Sequence, residues 1–227
     1  MNAANGTNKG RFRLEGGDVR TLILSDVVAE ILHSGKLKSH CQGVELILSC
    51  GDLPSDYLDY VVTMLNVPLL YVLGNHDRPR LVSNGEWAEG PEGGRNVDRD
   101  VICVGEREQP VCVAGLEGSM RYNDGLHQYS EREMRRRAAT LARRLHVARW
   151  RGRSLDVLLT HAAPRGVHDG DDLAHRGFAA FTRLIERFQP RYAVHGHVHP
   201  SYGYDTKPRR IGRTTVMSVY RYTFLEI

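Results

Sequence analysis

No run in this 227-residue chain is apolar for long enough to cross a membrane as a helix, so no membrane-spanning helix is expected. The opening stretch MNAANGTNKGRFRLEGGDVR has no apolar core, so it does not read as a secretory signal. It reads instead as a flexible arm over residues 1–19, leaving 20–227 as a single domain. The four cysteines (Cys41, Cys50, Cys103, Cys112) form no CxxC pair. Free thiols in a reducing cytosol are the expectation, which places the protein in the cytoplasm. There is no internal sequence repeat. Basic character is also scarce outside one segment. The net charge is +4, but Glu131 to Arg153 alone holds nine arginines and two glutamates, and the remainder carries 22 basic and 25 acidic residues, or −3.

What the chain does have is one design used repeatedly. TLILSD (21–26), VELILSCGD (44–52), VPLLYVLGNHD (67–77), LDVLLTH (155–161) and RYAVHGHVH (191–199) are apolar runs that end in polar residues. Runs of this length and composition suit strands buried on both faces. Helical spacing lies between several of them. Tyr57, Leu58, Val61, Val62 and Leu65 follow Pro54 and Ser55, and Met134, Ala138, Leu141, Leu145 and Ala148 follow Ser130. A further helix is expected within Asp171 to Phe188. Alternation of this kind predicts an α/β fold built from βαβ crossovers and a parallel sheet. Residues 78–99 have few aliphatics and read as a long loop at the rim of the site. The closing TTVMSVYRYTFLEI reads as a hairpin-like pair of strands.

The strand ends gather chemistry. Asp26, Asp52, Asn75, His161, His197 and His199 supply two carboxylates, an amide oxygen and three imidazoles. That donor set suits manganese, iron, zinc or nickel better than calcium. Six such ligands exceed the needs of one ion with open positions and fit two ions that share a carboxylate, an arrangement used to cleave phosphate esters. A single Gly-Asp after a strand is usually a turn, and a lone histidine there is usually a hydrogen-bonded one. Five such endings in order make coincidence a poor explanation.

These endings, SD (25–26), GDL (51–53), GNHD (74–77), THAAP (160–164) and GHVH (196–199), resemble those of the calcineurin-like metallophosphoesterases. The resemblance runs from Thr21 to Ile227. It implies a four-layer αββα sandwich with a dinuclear centre at one edge, manganese being the first expectation for both ions. It also implies that Asp26, Asp52 and His199 hold the first ion and that Asp52, Asn75, His161 and His197 hold the second, with Asp52 bridging. His76 would assist the leaving oxygen, and Asp77 would orient its ring. One position departs from the pattern: the family's Asp-x-His is Asp26-Val27-Val28 here. The first site then keeps three protein ligands and is expected to be weak or empty.

Arg121, which follows the strand PVCVAGLEGS, is a candidate grip for a phosphate oxygen. His168, just after THAAP, is a candidate for the substrate rim or for support of the ligands. Cys50 is expected to pack as a small hydrophobe rather than to ligate. The arginine-rich helix 131–153 raises a nucleic-acid reading, but its apolar stripe explains the helix and leaves the arginines as a solvated face. The expected activity is hydrolysis of a small phosphorylated substrate, mono- or diester. The alternatives are a non-catalytic binding module on the same fold and a nuclease-like enzyme that uses the basic helix.

Overall fold

The computed structural model describes residues 18–82, 85–105, 110–200 and 203–227. In chain order the strands are β1 (Arg20–Ser25), β2 (Leu46–Ser49), β3 (Leu69–Tyr71), β4 (Arg80–Leu81), β5 (Trp87–Ala88), β6 (Gly94–Asn96), β7 (Val101–Val104) and β8 (Val111–Leu116). They continue with β9 (Ser119–Met120), β10 (Gln128–Tyr129), β11 (Val157–Thr160), β12 (Tyr192–His195), β13 (Arg209–Ile211), β14 (Thr214–Ser218) and β15 (Arg221–Glu226). The helices are α1 (Leu37–His40), α2 (Ser55–Leu65), α3 (Glu131–Trp150) and α4 (Ala179–Phe188), with a 3₁₀ turn at Glu30–His33.

Instead of one parallel sheet there are two mixed ones. The first runs β15-β1-β2-β3-β6 and the second β13-β14-β12-β11-β8-β7. Their inner strands are parallel, and β15, β7 and β13 each pair antiparallel at an edge. The period-two alternation of strand side chains sorts every apolar run onto two faces. Ile23, Leu46, Leu48, Leu70 and Val72 of the first sheet meet Val113, Val157, Leu159 and Val194 of the second in a shared core. Leu22, Leu24, Ile47 and Leu69 turn outward to α1 and α2. Ala114, Leu116, Leu158 and Ala193 turn outward to Met134, Leu141 and Leu145 of α3 and to Phe181 and Leu184 of α4. The result is the four-layer αββα sandwich.

Helix α3 begins where Ser130 predicts. The Ser130 hydroxyl accepts from the Glu133 amide, and the Glu133 carboxylate accepts from the Ser130 amide, a reciprocal cap. Glu131 in the same turn caps α4, accepting from the amides of Ala179 and Ala180 at 3.1 Å each. The helix thereby locks its neighbour as well as itself.

Four expectations are corrected. Residues 78–99 are not one loop: Gly94–Asn96 is β6 and pairs in parallel with β3, while β4 and β5 form a small hairpin. The closing residues are not a hairpin: β14 pairs with β12 in the second sheet, and β15 pairs with β1 in the first. Val219 bonds to the His195 carbonyl, and Arg221 takes a left-handed backbone (φ 69°), so the chain swings from one sheet to the other between them. The expected arm ends early. Val19 is fully buried and exchanges backbone hydrogen bonds with Ile227, while residues 1–17 lie outside the described residues. Finally, Cys103 and Cys112 face each other across β7 and β8, with Cα atoms 4.0 Å apart, and form a disulfide. Cys41 and Cys50 are free and buried, Cys50 within the core between the sheets.

The packing gives a direct test. Leu141 is fully buried between the second sheet and α4. Leu141→Ala should cost about 2–5 kcal/mol, read as a lower urea midpoint with an unchanged slope. A change below about 0.5 kcal/mol would place α3 outside the folded core.

Candidate metal centre

The parallel strands of both sheets point their carboxyl ends at the same edge, and the polar residues follow directly. Three of them leave their strands in the left-handed region: Asp26 (φ 62°), Asp52 (φ 57°) and His197 (φ 65°). Side chains other than glycine pay for that backbone, about 1–2 kcal/mol each, and here it turns the ligands inward. Two glycines make the close approach possible. A Cβ on Gly74 would strike the Asp52 carboxylate and lie 2.7 Å from Cε1 of His161. One on Gly196 would strike Ser25 and the Asp26 carboxylate.

Asp52, His161 and His197 bring ligand atoms within 4.8 Å of one another. Nε2 of His161 lies 3.0 Å from Oδ1 of Asn75, 3.1 Å from Nδ1 of His197 and 3.4 Å from Oδ2 of Asp52. Asn75 and His161 are almost wholly buried, and His197 is buried as well. The far side of each ligand is already committed. Nδ1 of His161 bonds to the Cys50 carbonyl at 2.8 Å, and Nε2 of His197 bonds to the Ala174 carbonyl at 2.9 Å. Nδ2 of Asn75 donates to the Tyr122 hydroxyl at 3.1 Å. These outer bonds fix the tautomers and the amide orientation, so the inward atoms are lone-pair donors. With both imidazoles neutral, four acceptors converge without a donor, a set that fits a divalent cation.

Protons respond to the same arrangement. Burial alone would depress His161, but the charge and hydrogen bond of Asp52 raise it to about 9. Burial and the neighbouring His161 charge push His197 down to about 4. A proton on His161 thus takes the place of a cation. Burial opposes the Asp52 charge, yet His161 and the amide of His76 keep its carboxyl below the ordinary range.

Next to this cluster, Asp26 accepts from the His197 amide through both oxygens at 3.1 Å and pairs with Nε2 of His199 at 3.4 Å. Val28 packs against the outer apolar cluster with Leu32 and Leu58 and offers no donor.

His76 is exposed, and its backbone amide donates to Oδ1 of Asp52 at 2.8 Å. The bond expected from Asp77 to the His76 ring is absent. Asp77 accepts instead from the amides of Gly74 (2.7 Å) and Asp52 (2.9 Å), tying the ends of β2 and β3 together. Burial raises its carboxyl despite those bonds. Arg121 is also committed elsewhere, to the Gln128 carbonyl and the Glu133 carboxylate. Its neighbour Tyr122 is the residue of that loop that reaches the cluster. His168 bonds through Nδ1 to His195 and through Nε2 to the Lys207 carbonyl, so it supports the end of β12 and does not face the ligands. Sequence reasoning missed Tyr122 and the Ala174 carbonyl. Tyr122 was visible as a polar aromatic beside the chosen arginine; a backbone carbonyl leaves no signal in sequence.

A model of the calcineurin-like phosphoesterase family matches residues 19–201. Nothing among curated proteins matches the sequence. Among solved structures, one crystal structure aligns with a TM-score of 0.63 at 16% identity, covering 92% of this chain and 95% of the other, which establishes the shared fold. Two others align more loosely. The Plasmodium inner-membrane-complex anchor GAP50 has a TM-score of 0.48 at 12% identity, over 88% of this chain and 71% of its own. The Thermus thermophilus sulfate thiohydrolase SoxB has 0.46 at 13%, over 90% and 52%.

The proton on His161 yields a measurable consequence. Between about pH 5 and 8 the metal-free site holds one proton on the imidazole pair, since His161 titrates near 9 and His197 near 4. Binding of one Zn²⁺ or Mn²⁺ should release one proton, so apparent affinity should rise about tenfold per pH unit and level off above about pH 9. Calorimetry in buffers of different ionisation enthalpy reads this number directly. Release of two protons, or none, would refute the charge assignment.

Proposed function

The chain belongs to the calcineurin-like phosphoesterase family, and from that premise we propose that it is a metal-dependent phosphoester hydrolase. The observation that supports this reading most is the inward convergence of Asp52, Asn75, His161 and His197, each held from behind by a bond to another part of the chain. Manganese is the first expectation, with iron, zinc or nickel compatible with the same donors. Asp52, Asn75, His161 and His197 would hold the better site. Asp26, His199 and the shared Asp52 would hold a weaker one, for want of the imidazole that Val28 replaces. When bound, such ions supply Lewis acidity that activates water near neutral pH and polarises the phosphoryl group.

The chain's own residues do the rest. Cys50, Ala174 and Tyr122 fix which atom each ligand presents, so little reorganisation is needed when charge develops. The His76 amide, bonded to Asp52, sets where that residue leaves the backbone. Its imidazole is exposed and acts on the Asp52 charge, so it stands near enough to the cluster to give a proton to a leaving oxygen. The substrate is a small phosphorylated compound, mono- or diester.

A non-catalytic binding module is the second reading, and the apolar packing of Val28 favours it. His76 weighs against it, because a module has no use for an exposed imidazole that ligates nothing.

Two measurements decide between them. After chelation, addition of Mn²⁺ should restore hydrolysis of bis(p-nitrophenyl) phosphate or p-nitrophenyl phosphate. His76→Ala should lower kcat by about 10²–10⁴ without changing metal content; no turnover with any divalent metal would leave the binding module. Val28→His should raise the metal bound per chain, measured by elemental analysis. Two ions per chain in the unaltered protein would show that the first site never lacked a ligand.

A further inference from the structure

The basic segment does not end as a uniform solvated face. Some of its arginines are spoken for: Arg137 bonds to Asp98 and Glu117 at 2.7 Å each, and Arg144 pairs with Asp100. Those toward the end of α3 are different. Two adjoining clefts of about 380 and 720 Å³ flank its last turns and share Val101, Ala148 and Arg153. Arg143, Arg149, Arg151 and Arg153 line them from α3 and the turn after it, Arg187 comes from α4, and Arg213 precedes β14. None of these six has an ion-pair partner among the described residues. Among the described residues on the walls the one acid, Asp100, pairs with Arg144. Trp150 sits between Arg149 and Arg151 and is 86% exposed, and Val147 one turn earlier is 48% exposed.

We infer that these clefts form a docking surface for single-stranded nucleic acid, separate from the metal centre and independent of the hydrolase reading. The walls are concave, which suits a strand laid along a groove better than a flat bilayer. The cations are all guanidinium groups, whose planar forks match phosphodiester oxygens in pairs and stack on bases. The exposed indole of Trp150, next to Arg149 and Arg151 along the chain though not itself part of either wall, offers a stacking platform, the second element such surfaces combine with charge. Leu155, Gln189 and Arg213 lie just before β11, β12 and β14, so the surface is at the amino edge of the second sheet. The metal centre is at the carboxyl edge, at least the length of β11 away, about 13 Å. Two of the lining cations are distant in sequence, which explains why composition alone makes this surface look weak: Arg187 and Arg213 join it only through the fold.

The test uses the full-length protein and fluorescein-labelled 15-mer oligothymidine. Anisotropy should show binding whose logarithm falls with log salt at a slope of about −4, as six phosphate contacts on a single strand require. Arg149→Ala, Arg151→Ala and Arg153→Ala together should bring the slope to about −2 and weaken binding at least tenfold, with circular dichroism unchanged. In a Trp87→Phe background, the fluorescence of Trp150 should be quenched by the oligonucleotide. Absence of binding at about 50 mM salt, an undiminished slope in the triple variant, or unquenched Trp150 would each overturn the inference. So would arginine-dependent sedimentation with phosphatidylserine vesicles in place of oligonucleotide binding. Turnover of bis(p-nitrophenyl) phosphate is read separately, so failure of the hydrolase reading leaves this result interpretable.

Discussion

Asp52, Asn75, His161 and His197 come from four strand ends, two in each sheet, and each turns an electron pair toward the others. In water such pairs would be solvated. In a nearly closed pocket they repel unless a positive charge sits among them. The surrounding chain is arranged to keep that tension in place. Left-handed turns at Asp26, Asp52 and His197 aim the ligands, and Gly74 and Gly196 let the backbone come close enough. Asp77 ties the ends of β2 and β3 so that the carboxylate of Asp52 and the amide of Asn75 cannot drift apart. A raised His161 is the signature of the same tension when only protons are available to relieve it.

The parts of this design that sequence revealed are those set by local rules. A strand buried on both faces shows as an apolar run, and its end shows as glycine followed by polar residues, so β1, β2, β3, β11 and β12 were legible, and with them Asp52, His161 and His197, which the fold brings together. Helix α3 was legible because a capping serine and an apolar stripe are both local. What failed depends on distance. Gly94–Asn96 has no apolar residue to mark it as a strand; it becomes one because β3 offers an unpaired edge. The split of β14 from β15 turns on one left-handed residue, Arg221. Cys103 and Cys112 read as separate thiols until antiparallel register sets them opposite each other. At the site, the error between Arg121 and Tyr122 is a single position, yet neighbours along an extended chain point to opposite sides. Asp77 misled for the opposite reason: a carboxylate beside a histidine suggests a pair, while two closer amides claimed it.

Val28 stands beside the cluster as a packing residue. Its side chain belongs to the apolar layer between β1 and the outer helices. An imidazole there would have to leave that layer to reach the polar strand ends. Asp26 meets the His197 amide, the His199 ring and Ser25 there. The amide donates to that carboxylate, while the neighbouring Asp52, Asn75, His161 and His197 form the cluster whose donor set fits a cation.

The same polarity extends across the molecule. At the carboxyl edge of the sheets the chain collects acceptors, and at the amino edge of the second sheet it collects arginines. A net charge of +4 on 227 residues averages these two poles away. An anion approaching the protein meets them separately. Guanidinium groups at the ends of α3 and α4 attract it over a range of roughly one Debye length, about 8–10 Å at ordinary salt. The metal edge attracts it only when cations outweigh Asp26 and Asp52. Charge therefore does not funnel an anion from one edge into the other, because the arginines and the acceptors collect at opposite edges of the second sheet.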